Sequence, residues 1–352
     1  GVRIEAGTSG LVSLLGTVGL DPTSAVLALH DLSITAGGGI VIKGGAVTTA
    51  GTQDYQSNVV LGNPAFATTL TTTNSAVSFA GTLTNEGADA QALSIDAGTG
   101  RVSFSGAIGS GAAPIGALSI SHSSATTFSS SVDAASLSVN ASGITQFNGI
   151  VTAGSVTTDA PGSVQFNITT PLNGASVLTT GAQTYNDDVV LMKHTTLTST
   201  GVNAAGNITL GSSVMGDSTT ARDLTVNGTN VTFTGAVGAP LAKIGALNIQ
   251  SSGITTFVST VLADSLTTHT GGSTVIQGGQ VTTSGAQTYG DNVLLGNASF
   301  ATVLTTTDSA VSFAGTVNNQ VAGTPQALTV NTGSGAITFT GAIGSAAAPI
   351  GA

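Results

Sequence analysis

The side chains that could catalyse a reaction are sparse in this sequence. Its 352 residues include sixteen Asp and Glu, four His, six Lys and Arg, and no Cys. A glycoside hydrolase needs two carboxyl groups held close together, and a polysaccharide lyase needs a Lys or Arg base beside carboxylates. Asp187 and Asp188 are the only adjacent acids, and one member of such a pair in a strand should point inward or sit in a turn. We therefore predict that the chain is not an enzyme.

The sequence also lacks a pattern typical of a metal or cofactor site. Wide separation of the His residues favours isolated surface side chains over converging metal ligands; they are His30, His122, His194 and His269. The calcium-binding nonapeptide of some β-helix repeats is absent. Residues 289–292 (YGDN) could supply a weak cluster of oxygen ligands or form a polar turn. We predict no metal and no cofactor, and the question of calcium at Asp-containing turns stays open.

Composition argues against two classes of partner. The formal net charge is −10 and only 6% of residues are charged, so the clustered Lys and Arg that phosphate contacts require are missing. No run of about 18 apolar residues exists to cross a bilayer. We predict neither nucleic-acid binding nor membrane insertion. The aliphatic content still suffices for a packed core, unlike that of disordered chains.

A short motif organises the chain: Phe, any residue, Gly or Ser, any residue, and an aliphatic residue, as in 147–151 (FNGIV). Nine Phe occupy its first position and are assigned to an internal core ladder: Phe79, Phe104, Phe128, Phe147, Phe166, Phe233, Phe257, Phe313 and Phe339. Where Phe is absent, we place Leu or Ile there: Ile42, Leu61, Leu191, Leu210, Ile276 and Leu295. Successive anchors lie 18–19 or 23–26 residues apart. The spacing predicts a basic coil of about 19 residues, with extra loop residues in some coils.

Short strands are expected to hold these anchors. Segments such as 118–120 (LSI) and 137–139 (LSV) alternate apolar and polar residues and each precede a Phe by ten residues, a pattern typical of strands. Three short strands per coil predict an all-β fold, a parallel β-helix (β-solenoid) of roughly 15 or more coils. Residues 11–15 and 25–29 could be strand or short helix, and we favour strand. Extra residues at 85–90 and 319–325 should bulge outward.

A longer repeat lies above the coil. Blocks start near residues 49, 179 and 283, each marked by a Tyr, and residues 47–116 closely match 281–350, so that Phe66 and Phe300 are equivalent. Because repeat proteins extend their core in one dimension, we predict one elongated β-solenoid over residues 1–352, a fragment of a longer array. The last coil, residues 327–352, has no charged residue, so we expect further solenoid to pack against it.

Strings such as GAQTYGDNVLLG (285–296) and ALTVNTGSGAITFTGAIG (327–344) resemble the β-strand repeats of giant bacterial surface adhesins of the filamentous-haemagglutinin type. The resemblance covers the whole chain and implies a right-handed parallel β-helix exported to the cell exterior. The expected function is an extracellular structural or adhesive segment of a large bacterial surface or filament protein, serving as a rigid spacer or fibre. Expected partners are further β-solenoid repeats end to end, cell-surface glycans or another cell. A carbohydrate-active β-helix enzyme and a self-assembling fibre subunit remain alternatives.

Overall fold

A computed structural model of the protein describes residues 1–19, 29–62, 67–87, 89–218, 220–296 and 301–351. These residues form two compact units, Gly1–Thr170 and Pro171–Ala352. The expected strand at 25–29 falls outside the described residues except for Leu29, and Phe66 and Phe300 also lie outside them.

Within its described residues, the first unit contains nineteen short strands. They are β1 Val2–Ala6, β2 Val12–Leu14, β3 Leu32–Ala36, β4 Ile40–Ile42, β5 Ala46–Thr49, β6 Gln53–Tyr55, β7 Val59–Leu61, β8 Thr68–Thr72, β9 Val77–Phe79, β10 Leu83–Asn85, β11 Leu93–Asp96, β12 Arg101–Phe104, β13 Ile115–Ser123, β14 Ala125–Phe128, β15 Val132–Ala141, β16 Ile144–Phe147, β17 Val151–Ala153, β18 Val156–Thr158 and β19 Ser163–Phe166.

The described part of the second unit contains twenty strands and one short 3₁₀ helix, Asn203–Gly206. The strands are β20 Val177–Thr179, β21 Gln183–Tyr185, β22 Asp188–Leu191, β23 Thr195–Ser199, β24 Ile208–Leu210, β25 Val214–Gly216, β26 Arg222–Gly228, β27 Val231–Phe233, β28 Ile244–Ser251, β29 Ile254–Phe257, β30 Val261–Thr268, β31 Ser273–Ile276, β32 Gln280–Thr283, β33 Gln287–Tyr289, β34 Asn292–Leu295, β35 Thr302–Thr305, β36 Val311–Phe313, β37 Val317–Asn319, β38 Leu328–Asn331 and β39 Ile337–Phe339.

Alternating burial explains why these segments form strands. In β3, Leu32, Ile34 and Ala36 are buried, while Ser33 and Thr35 between them are not. Successive side chains of a strand point to opposite faces, so the aliphatic residues fill the interior and the Ser and Thr residues meet solvent. Most strands span three to five residues, because Gly-, Asn- and Ser-containing corners interrupt them.

The strands of the first unit pair in parallel with strands one repeat further along the chain. Three sheets result, in the orders β1-β3-β6-β9-β12-β14-β16-β19, β2-β4-β7-β10 and β5-β8-β11-β13-β15-β18. The prediction of an all-β chain with parallel sheets is confirmed. The arrangement is consistent with a parallel β-helix.

The second unit repeats this pattern. One sheet has the order β20-β23-β26-β28-β30-β33-β36-β39 and another β21-β24-β27-β29-β31-β34-β37. The strands β30, β32, β35 and β38 pair in a further parallel series. Equivalent side chains are therefore stacked strand upon strand, at the roughly 4.8 Å spacing of a β-sheet.

The register differs from the sequence-based one at three anchors. Leu61 was placed directly before Phe79, but it pairs with Ile42 on one side and Asn85 on the other. The residue that pairs with Phe79 is Tyr55. Inward aliphatic residues occur in every sheet, so the 18-residue step joined two different sheets. The same error places Leu295 before Phe313, whose observed partner is Tyr289. It also places Leu191 before Leu210, whereas Leu210 pairs with Tyr185 and Leu191 pairs with Gly216.

The inserted loops lie at the surface, as expected. Residues 86, 87, 89 and 90 and residues 321–325 are exposed. Asn85, at the base of the first loop, is half-buried: its amide donates to the Pro114 carbonyl at 2.7 Å, and its Oδ1 accepts the Gln91 N–H at 3.0 Å. Asn319 makes the equivalent contacts with Pro349 and Gln326. One inward Asn therefore anchors each protruding loop.

Candidate functional site

The predicted Phe ladder begins, in the first unit, with a Tyr. Tyr55, Phe79, Phe104, Phe128, Phe147 and Phe166 stack in that order and are all buried. Ring centroids lie from 4.9 Å apart, between Tyr55 and Phe79, to 5.8 Å apart, between Phe147 and Phe166. Near-parallel rings at this spacing add about 0.5–1.5 kcal/mol per pair beyond the burial of their apolar area.

The second unit divides the predicted ladder into two stacks in different sheets. Phe233 stacks on Phe257 at 5.2 Å, and in that sheet the next partner is Ile276. The second stack runs from Tyr289 through Phe313 to Phe339, with centroids 5.0 and 4.7 Å apart. The first four of these aromatic side chains are buried, whereas Phe339 is half-buried.

Each block start carries a buried polar cluster that the sequence analysis missed. We name it the Thr–Gln–Tyr cluster; its members are Thr49, Gln53 and Tyr55, then Thr179, Gln183 and Tyr185, then Thr283, Gln287 and Tyr289. In the first, the Tyr55 hydroxyl donates to Gln53 Oε1 at 3.0 Å. The Gln53 amide donates to the carbonyls of Val47 at 3.0 Å and Thr71 at 2.9 Å. Because Gln53 lies in one sheet and its acceptors in another, the cluster joins two sheets.

Burial dominates the chemistry of these Tyr residues. All three are fully buried and each hydroxyl donates to the Gln two residues earlier. Loss of water around the phenolate raises the pKa of Tyr55, Tyr185 and Tyr289 far above the usual range. The pattern T-x-G-x-Q-x-Y recurs three times. That spacing places Gln and Tyr on the same face of a strand and could have revealed the cluster.

Asp291, in the segment considered for calcium, is almost fully buried. Its carboxylate accepts hydrogen bonds from the hydroxyls of Thr268 at 3.0 Å and Thr274 at 2.9 Å, and it is 6% exposed. Desolvation raises the pKa of Asp291, although the two hydroxyls oppose the shift. The negative charge of Asp291 also contributes to the raised pKa of Tyr289. The equivalent residue of the first block, Ser57, instead accepts the Ala36 N–H at 2.9 Å.

The adjacent acids do not form a carboxylate pair. Asp187 is buried, 2% exposed. Asp188 is half-buried on the other side of the chain and accepts hydrogen bonds from the hydroxyls of Ser212 and Ser213, at 2.5 and 2.7 Å. These donors lower the pKa of Asp188. The expectation that one member of the pair would face inward is met by Asp187.

Several other acids bind backbone rather than one another. Asp31 accepts the Thr52 N–H at 2.9 Å and Asp308 accepts the Ser334 N–H at 2.8 Å. In both cases the donor lies 21 or 26 residues further on, at the next level of the stack. Hydrogen bonds lower the pKa of Asp31, chiefly through His30, and that of Asp308, chiefly through the Ser334 N–H. These carboxylates fasten successive corners together.

The His residues are at the surface, and three of the four contact an Asp. His122 Nδ1 lies 3.2 Å from Asp96 Oδ2, and His194 Nδ1 lies 3.0 Å from Asp223 Oδ2; His30 contacts the adjacent Asp31. Within the described ranges, no three His, Asp or Glu side chains converge into a group that could hold a metal ion. A groove of about 530 Å³ beside β4, β7 and β10 is lined by uncharged residues.

The outward faces of the sheets carry rows of neutral hydrogen-bonding side chains. In the second unit one row is Thr184, Thr209, Thr232 and Thr256. A longer row on the neighbouring sheet, which we name the hydroxyl row, is Thr196, Thr225, Asn248, Thr267, Thr288, Ser312 and Thr338. Every member can both donate and accept a hydrogen bond. These rows form the candidate contact surface.

A scan against protein-family models, a search of curated proteins and a search of solved structures each return no match. Among the helices of the described residues, none is long and apolar enough to cross a bilayer.

The Phe stack can be tested with Phe147→Asp. This change places an unpaired charge between two buried rings and should lower the free energy of unfolding by about 4 kcal/mol or more. Gln146→Asp, on the outward face of the same strand, is the matched control and should change it by about 1 kcal/mol or less. Urea unfolding followed by circular dichroism measures both. Equal midpoints for the two variants would contradict the assigned burial.

Asp291→Asn should stabilise the protein at pH 7. A carboxyl whose pKa is raised on folding binds its proton more tightly in the folded state. Ionisation of this carboxyl therefore lowers the free energy of unfolding, and the loss grows as pH rises from the unfolded pKa to the folded pKa. The stabilisation should therefore shrink on acidification and vanish below the unfolded pKa, about 3.9. Asp188→Asn, whose carboxyl pKa is lowered on folding, should destabilise at pH 7 and converge with wild type at low pH. Thermal unfolding of both variants and of the wild type at pH 3 and pH 7 measures these differences in stability. An Asp291→Asn protein that is less stable than the wild type at pH 7 would contradict the prediction.

Proposed function

We propose that the chain is an extracellular structural and adhesive segment of a large bacterial surface or filament protein, acting as a rigid spacer or fibre. The observation that supports this most is the in-register stacking of like residues through many successive parallel strands. Such a core can be lengthened by adding repeats without altering what each repeat contacts. Low charge and neutral outward rows also suit a surface that presents hydrogen-bonding groups repetitively.

The detailed architecture in this proposal is a right-handed β-solenoid with three short strands per coil and about fifteen coils. Phe128, Phe147 and Phe166 pair at intervals of 19 residues, which supports a basic coil of that length. Tyr55 and Phe79 are 24 residues apart, and Phe313 and Phe339 are 26 apart. These longer intervals match a basic coil that carries an inserted loop.

The proposed partners are further β-solenoid repeats end to end, together with surface glycans or another cell. Near-duplication of residues 47–116 in 281–350 supports growth by block duplication, which is how long repeat arrays arise. The resemblance to filamentous-haemagglutinin-type adhesins supports the bacterial cell surface as the location. We infer that this segment holds other parts of the assembly away from the cell envelope.

Immunogold electron microscopy of the producing cells tests this function. Antibodies against residues 1–352 should label intact, unpermeabilised cells, because the proposed location is extracellular. Gold should lie along projections longer than about 70 Å, the length of some fifteen coils at about 4.8 Å each. Labelling that requires permeabilisation would refute the surface location, and labelling confined to compact particles would refute the spacer.

A further inference from the structure

Half of the chain's strongly basic residues gather at one corner of the second unit. The chain has six Lys and Arg, and Lys193, Arg222 and Lys243 lie at the starts of β23, β26 and β28. These three strands are consecutive in one sheet, with Thr195 opposite Leu224 and Arg222 opposite Ile244. We name these three residues and His194 the basic corner. Neighbouring strands are about 4.8 Å apart, so the starts of the three strands lie within about 10 Å of one another.

Hydrogen bonds across the strands fix the backbone of the basic corner. Asp223 contacts His194 on the preceding strand at 3.0 Å, and its Oδ1 accepts the Ala246 N–H on the following strand at 2.7 Å. The Gly216 N–H donates to the Ala242 carbonyl at 3.2 Å, just before Lys243. The bases of the cationic side chains are therefore held in a defined order before any ligand binds.

The two Lys of this corner are uncompensated, a property that among the described residues they share with Arg101 of the first unit. Arg222 forms two contacts with Asp217, at 3.1 and 3.3 Å, and Arg222 lowers the pKa of that carboxyl. In the first unit, Arg3 pairs with Glu5 and Lys43 with Glu86. For Lys193 and Lys243, no carboxylate of the described residues lies within ion-pair distance. Lys243 is exposed and Lys193 is half-buried.

The hydroxyl row begins beside these cations on the same sheet. Thr196, Thr225 and Asn248 lie a few residues along β23, β26 and β28 from Lys193, Arg222 and Lys243. Ammonium groups thus line one border of a surface whose next row is neutral and hydrogen-bonding. This combination matches a ligand that carries spaced negative charges among many hydroxyl groups.

We propose that the basic corner and the hydroxyl row bind an acidic polysaccharide containing uronic-acid residues. Lys193 and Lys243 hold the carboxylates, and the Thr and Asn side chains bond the sugar hydroxyls. A nucleic acid fits less well, since Asp217 and Asp223 lie within the corner and no exposed aromatic residue is available among the described residues for base stacking. The inference rests on the proposed function, because it names the glycan class that an extracellular segment would meet.

Binding to polygalacturonate, with the full chain in solution, tests the proposal. Wild-type protein should bind immobilised polygalacturonate and not neutral dextran. Binding should weaken at least tenfold between about 0.1 M and 1 M salt, because the screening length shortens from about 10 Å to 3 Å. Lys193→Ala with Lys243→Ala should weaken binding at least tenfold at the lower salt. Lys43→Ala, which removes an ion-paired Lys of the first unit, is the matched control and should bind as wild type.

Three results would overturn the proposal: no binding to polygalacturonate, equal binding by the double variant, or tighter binding to duplex DNA than to polygalacturonate. Unchanged circular dichroism and melting temperature of the double variant exclude a folding defect, which is expected because neither Lys belongs to the core. Surface labelling of cells together with absent polygalacturonate binding would reject this ligand and leave the spacer function standing. Absent surface labelling would reject the spacer function itself.

Discussion

Backbone hydrogen bonding between parallel strands is the constraint on which the rest of this structure depends. Because each strand pairs in register with its equivalent one repeat further on, a side-chain type at one level is placed against the same position at the next. Aromatic residues then stack in the core, as Phe104 does on Phe128 at 5.3 Å, and Thr residues align outside, as Thr232 does with Thr256. A periodic sequence thereby becomes a periodic core and a periodic surface.

The same stacking restricts residues at the corners. Lys43 and Glu86 form an ion pair at 2.8 Å across the level between them, where Gly62 lies. A Cβ at Gly62 would come within 2.6 Å of the Glu86 carboxylate and 3.1 Å of Lys43 Cγ. In the matching block, Gln277 and Gln320 replace the charged pair and approach at 3.4 Å, again beside a Gly. Both blocks therefore contain a side-chain contact that spans two levels of the stack, but only the first of these contacts is an ion pair.

Much of this architecture was predictable from the sequence because it depends on local alternation. The inward Phe residues follow from period-two patterning, and nine were assigned to the core, of which only Phe339 is half-buried. The register was harder to predict from the sequence. Leu61 fits the anchor pattern, yet it belongs to a different sheet from Phe79. Apolar type and spacing cannot distinguish sheets that all place aliphatic residues in the interior.

The polar interior was harder to foresee. In the sequence Tyr55 only marks a block start, whereas in the fold it forms a buried hydrogen-bonded pair with Gln53. The sequence alone permits a polar turn or a cation ligand at Asp291, whose carboxylate accepts a hydrogen bond from Thr268, 23 residues away in sequence. Contacts between distant levels of the stack require the register first, so these features emerge only once it is known.

Disulfide trapping tests the register most directly, and the chain contains no Cys to interfere. Asp54 and Ser78 are opposite one another with side chains 2.7 Å apart, within the reach of a disulfide. Oxidation of a protein carrying Asp54→Cys and Ser78→Cys should form an intramolecular disulfide, detected as the loss of two hydrogens by mass spectrometry. Val60→Cys with Ser78→Cys, the pair that the 18-residue step would align, should remain reduced. Efficient cross-linking of the second pair and not the first would contradict the stacking described for this protein.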